Sequence, residues 1–186
     1  KKKTENVLTK DQMQTLYELT EDHKERAILS LAYGCGLRSQ EICELQWRDI
    51  LFSQAQVLVR HGKGNKTREV PMSNLVQADL RNFMNQELKK NMVRLSSTNY
   101  LLLRQSGIPV NNHFLNRLLK KIMLRSDESS IRKLKISLHD LRHAIATHLA
   151  ENGAEIEFIR NFLGHDSIDT SSLYMIRRKR RNRFIA

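Results

Sequence analysis

The chain has 186 residues, 40% of them hydrophobic and 28% charged. That length and balance fit one soluble domain with its own core and exclude a disordered or fibrous chain. Net charge is +12, of which Lys1 to Lys3 and the run Arg177 to Arg183 hold +9, so a polyanion is the expected partner, with DNA, RNA and acidic lipid all open on charge alone.

No apolar run reaches the roughly 18 residues of a membrane span and no leader pattern is present, so the expected compartment is the cytoplasm, without membrane contact. In chain order, Thr9 and Gln12 form a capping box that starts a helix over Lys10 to Leu19. Ala27, Ile28, Leu31 and Ala32 recur at helical spacing, which predicts a second helix from Asp22 to Tyr33, stopped by Gly34 and Gly36. Ser39 is read as the cap of a short helix holding Glu41, Ile42 and Leu45. Cys35 and Cys43 lie among apolar helical positions and read as small buried hydrophobes of a reducing compartment.

Trp47 to Arg60 reads as extended, Gly62 to Asn65 as a turn, and Thr67 to Met72 as the returning strand, the one convincing hairpin. Ser73 is expected to cap a helix reaching about Lys90, followed by a polar loop over Asn91 to Thr98 and a short extended piece at Tyr100 to Leu103. Asn111 or Asn112 begins a helix to Leu124, and Ser126 to Lys135 reads as a charged loop. Helices are expected at His139 to Glu151, Ala154 to Leu163 and Ser167 to Met175. The fold class is therefore mainly α with one small antiparallel sheet.

Several positions carry chemistry. Arg38 follows two glycines and precedes a helix, where backbone N–H groups and a guanidinium together suit an anion. Lys63 sits between turn glycines, with Lys66 as a rival cation on the same loop. His139 and Arg142 are three residues apart and share a helix face. His143 and His148 read as packing or supporting residues, and their spacing makes no metal pair. His165 follows a helix-ending glycine, and Tyr174 comes nine residues later. A tyrosine can supply a nucleophile, arginines can hold phosphoryl oxygens, and histidine can move or stabilise a proton. That set can attack a phosphodiester without a metal.

The strings GCGLRSQEICEL, HGKGNKTREVPM, HDLRH and LGH with its trailing tyrosine occur in that order. They resemble the catalytic domain of the tyrosine recombinases, the phage-integrase family, from about Leu8 to Tyr174. The resemblance implies a catalytic domain over residues 1–176 and a basic tail over 177–186, with the family's N-terminal core-binding domain outside this chain. It implies a site-specific recombinase that acts in DNA integration and recombination through a 3′-phosphotyrosine on Tyr174, with no cofactor. Arg38, Arg142 and His165 would hold the scissile phosphate, His139 would orient or accept a proton, and Lys63 would protonate the leaving 5′ oxygen. Glu41 would support the site, while Arg38, Lys63, Lys66, Arg142, Arg177 and Arg178 would contact double-stranded DNA. The full-length protein would assemble as a tetramer on DNA and the isolated domain would be a monomer. A type IB topoisomerase and a catalytically inactive DNA-binding relative are the alternatives. Met175 and Ile176 depart from the Tyr-x-His that commonly follows the family's nucleophile.

Overall fold

The computed structural model describes residues 7–60, 67–95 and 99–164, with the backbone only for 90–95. Helix α1 (Lys10–Glu18) begins at the expected capping box: Thr9 Oγ1 accepts the Gln12 N–H at 3.1 Å and Gln12 Oε1 accepts the Thr9 N–H at 2.9 Å. Helix α2 (His23–Leu29) is capped by Asp22, whose carboxylate accepts the Glu25 N–H. The predicted continuation to Tyr33 is real, but its last turn, Ser30–Gly34, is a wider coil. There the Cys35 N–H reaches back to Ser30 O at 2.9 Å and the Leu37 N–H to Leu31 O at 3.0 Å. Widening the turn carries the chain out of helix and sets Gly36 in the left-handed region at φ +59°.

Helix α3 (Ser39–Glu44) corrects one expectation. Ser39 is its first helical residue, not its cap; Arg38 holds the cap position, and its N–H donates to the Glu41 carboxylate at 2.8 Å. The segment after Trp47 is also more folded than a single extended stretch. A tight turn at Trp47–Asp49 leads into β1 (Ile50–Leu51), which pairs antiparallel with β2 (Gln56–Val59). β2 pairs in turn with β3 (Arg68–Pro71), giving the three-stranded order β1-β2-β3. The first connection closes through Ala55 at φ +52°, without glycine or proline. That absence hid the turn from sequence reading.

Ser73 caps α4 (Asn74–Leu95) as expected, accepting the Val76 N–H at 3.3 Å, but the helix continues to Leu95, into the stretch expected to be polar loop. Asn111 caps α5 (Asn112–Leu124). One helical turn, α6 (Ser129–Arg132), interrupts the charged loop that follows. α7 (Leu138–Glu151) starts at a Ser137–Asp140 capping box, and α8 (Ile156–Leu163) ends at Gly164 with φ +63°. The structure is mainly α with one small antiparallel sheet. The last predicted helix, Ser167 to Met175, lies outside the described residues. Among the described residues, no helix is long and apolar enough to cross a membrane.

Packing places α2 against α4, where Asp79 accepts from Arg26 Nε at 2.7 Å and from Ser30 Oγ at 2.6 Å. α7 lies on the wide turn, joined there by Tyr33 Oη and His148 Nδ1 at 2.8 Å. The N–H of Leu138, at the start of α7, donates to Asn116 of α5 at 3.1 Å. Leu31, Leu37, Ile42, Leu80, Phe83 and Leu101 are fully buried where these elements meet. Both cysteines are buried, and loss of water pushes their thiols up, Cys35 to about 12 and Cys43 to about 11.

The carboxylate of Glu25 is 2% exposed and sits in a two-pronged pair with Arg125 at the end of α5, at 2.5 and 2.8 Å. Burial is the largest single influence and raises its pKa, but the Arg125 hydrogen bonds, the Glu21 N–H and the charges of Arg125 and Lys121 together outweigh it and hold Glu25 below the ordinary glutamate range. A depressed folded pKa adds stability above the unfolded value and loses it as pH falls through the folded one. Arg125→Ala would strand that charge, so urea unfolding at neutral pH should show a loss of about 3–5 kcal/mol. The deficit should shrink on acidification, as Glu25 takes up a proton. An equal deficit at pH 7 and in acid would show that the pair adds nothing electrostatic.

Candidate active site

The turn that follows α2 and the end of α8 are distant in sequence and meet in space through two guanidinium groups. Arg142 projects from α7 and is 2% exposed. Its Nη1 donates to Gly36 O and its Nη2 to Leu163 O. Arg38 donates through Nη2 to Gly164 O at 3.0 Å, spanning 126 positions. The two arginines therefore stitch the GCGLR turn to the residues immediately before His165.

Such close approach requires both glycines. A Cβ on Gly36 would stand 2.8 Å from Leu163 Cδ2, and one on Gly164 would stand 2.7 to 2.9 Å from Cδ, Nε and Cζ of Arg68. Both also hold left-handed backbone, which glycine adopts without steric cost.

Glu41 organises the charges. Its carboxylate, 3% exposed as a side chain, accepts from Arg38 N–H and Nη1, each at 2.8 Å, and from both Arg68 Nη groups at 2.8 and 2.9 Å. Desolvation opposes ionisation, yet the Arg68 fork above all, with Arg38 behind it, keeps Glu41 below the ordinary carboxylate range. Arg68 was quoted in the HGKGNKTREVPM string but given no role from sequence. A signal was there: Arg68 shares a face of β3 with the buried Val70 two residues on, and a cation at that register calls for a partner.

His139 begins the exposed side of α7, and its Nε2 lies 2.8 Å from Nε2 of His143, the rings edge-to-face at 4.4 Å. One proton joins the two nitrogens, so the contact requires at least one imidazole to accept and hence be neutral. Partial desolvation, then His143, then Arg142 lower the His139 pKa, which favours the neutral ring at physiological pH. His148, on the same helix, is buried against Tyr33, in agreement with a packing role. Of the residues singled out from sequence, Arg38 at the cap of α3, Glu41 on α3, and His139 and Arg142 on α7 come together. Lys63, Lys66, His165, Tyr174, Arg177 and Arg178 lie outside the described residues.

Known proteins resemble this chain in sequence and in fold. The model of the phage integrase family matches residues 6–181. The chain is 34% identical over 178 residues to tyrosine recombinase XerD of Staphylococcus haemolyticus, covering 93% of this chain and 58% of that protein. It is 31% identical over 172 residues to tyrosine recombinase XerA of Pyrococcus furiosus, covering 90% and 56%. The crystal structure of XerA recombinase superposes with a TM-score of 0.78 at 28% identity, over 90% of this chain and 59% of that one. The chain thus spans little more than half the length of the relatives it matches.

The contact between Gly164 and Arg68 can be measured by a double-mutant cycle. Gly164→Ala should destabilise the domain by about 1–3 kcal/mol, from left-handed strain together with displacement of Arg68. In an Arg68→Ala background the steric part vanishes, so the same change should cost less by roughly 0.5 kcal/mol or more. Additive losses in urea unfolding would mean that the two residues do not touch.

Proposed function

The chain belongs to the phage integrase family, and on that premise we propose that it cleaves and rejoins double-stranded DNA as the catalytic part of a tyrosine site-specific recombinase. One observation carries this reading most. Arg38 and Arg142, from separate motifs, converge on the backbone of Gly36, Leu163 and Gly164, the last of these next in sequence to His165. An oxyanion presented there would meet positive charge held in advance by a folded scaffold, where it is most effective.

In the proposed reaction the Tyr174 oxygen attacks the scissile phosphorus in line. A 3′-phosphotyrosine forms and the bond to the 5′ oxygen breaks. An unperturbed phenol has a pKa of about 10, so the developing phenolate needs help. His139, whose pKa is lowered, is suited to orient or accept that proton. Arg38, Arg142 and His165 stabilise the non-bridging oxygens, and Lys63 protonates the departing 5′ oxygen. A 5′ hydroxyl from another strand reverses the step, and because the phosphotyrosine keeps the bond energy, no nucleotide is consumed. Lys66, Arg177 and Arg178 would add phosphate contacts, and the family's tetrameric assembly on DNA would belong to the longer protein.

Covalent trapping tests this directly. On a nicked duplex whose short 5′ strand diffuses away after cleavage, the chain should accumulate a protein–DNA adduct at Tyr174. Tyr174→Phe removes one hydroxyl and should abolish the adduct while DNA affinity and folding stay close to wild type. An adduct in the Phe variant would move the nucleophile elsewhere. Binding with no adduct from either protein would favour a DNA-binding relative.

A further inference from the structure

Arg68 has no part in the reaction as outlined, yet it lies at the centre of the site's electrostatics. Its guanidinium takes both oxygens of Glu41 in a fork, while Arg38 takes one of them through Nη1. The order of burial is graded: the side chain of Glu41 is 3% exposed, that of Arg68 13% and that of Arg38 25%. The three residues therefore form a layered cluster of two cations around one anion, with the inner cation matched to the carboxylate and the outer one nearer solvent. Arg68 also packs flat against Gly164, the residue whose carbonyl anchors Arg38.

We propose that Arg68 is a positioning residue that holds Glu41 in its fork, so that the charge of Arg38 stays available to the scissile phosphate. The physical argument rests on net charge. Glu41 is needed to fix Arg38, because it caps the α3 N-terminus through the Arg38 N–H and orients the guanidinium. A buried Arg38–Glu41 pair by itself would be neutral and would attract a phosphate weakly. Adding Arg68 restores one net positive charge in a poorly hydrated place, where Coulomb interactions are weakly screened. Two-pronged guanidinium–carboxylate pairing is the strongest form of this contact, which explains an arginine there in preference to lysine. The same fork ties β3 to α3, so the charge balance and the placement of Arg38 depend on one side chain.

The inference rests on the recombinase reading, and the test separates the two. Adduct formation on the nicked duplex is measured at saturating DNA for wild type, Arg68→Gln, Arg68→Lys and the double variant Arg68→Gln with Glu41→Gln, with thermal unfolding run on each. Removing a supporting partner of this kind typically lowers activity about 10–100-fold, which is the drop expected for Arg68→Gln. The double variant again carries one net positive charge and should recover most of the loss. A duplex with a neutral methylphosphonate at the scissile position should erase the difference between wild type and Arg68→Gln, a result that a purely structural role would not produce. If Arg68→Gln does not fold, the Lys variant and the double variant both keep the net charge, and both should cleave; failure of both overturns the proposal. A double variant no faster than Arg68→Gln, or an Arg68→Gln protein as fast as wild type, also overturns it. No adduct from the wild-type chain would instead overturn the recombinase reading beneath it.

Discussion

The buried guanidinium of Arg142 is the constraint on which the site depends. A charge that is 2% exposed must be met by hydrogen-bond acceptors, and here the carbonyls of Gly36 and Leu163 supply them. Those carbonyls face each other only because the wide turn after α2 throws Gly36 outward and α8 ends in a left-handed glycine. Arg142 thus does two things at once: it satisfies the open end of one helix and fastens it to the turn that carries Arg38. The preference of the proposed reaction for preorganised charge follows from this arrangement, since neither arginine needs to be ordered by the substrate.

Around that tie, Glu41 sets the balance. Isolated, a buried carboxylate beside an oxyanion site would repel the substrate. Forked by Arg68 and capped by Arg38, it becomes an anchor whose charge is already answered. Buried ionic groups of this kind often contribute little net stability, so their value here lies in the placement and balance of charge. His139 and His143 complete the rim, where partial desolvation, the neighbouring imidazole and nearby cations lower the His139 pKa and favour a neutral ring.

Much of this was legible in the sequence wherever a local interaction decides the structure. The capping box at Thr9 and the asparagine cap at Asn111 mark true helix starts, because the capping side chain lies within three residues of its partner; the Ser137–Asp140 box that starts α7 is equally local but was not read from the sequence. The grouping of Arg38, Glu41, His139 and Arg142 was legible too, through motif strings that resemble a known family. What stayed hidden depends on distant partners or on backbone conformation without a compositional mark. The wide turn at Ser30–Gly34 packs against α7, a partner more than a hundred residues away, and the Ala55 turn uses no glycine. Helix α4 runs past Lys90 through residues that composition assigned to a loop. Arg68 was visible only as a cation on an inward register, and its partner is 27 residues away.

The central claim, that Arg142 fastens the Arg38 turn to the end of α8, is tested most directly by amide hydrogen exchange in an Arg142→Lys variant. A lysine keeps the charge but cannot donate along two directions in a rigid plane, so one of the two carbonyls is released. The account predicts that the amides of Leu37 and Gly164, which bond to Leu31 O and Asn161 O, lose protection together by about tenfold or more. Amides of the buried α4 residues Leu80 and Phe83 should keep wild-type protection in the same sample. Unchanged exchange at Leu37 and Gly164, or a uniform loss across the whole domain, would contradict it.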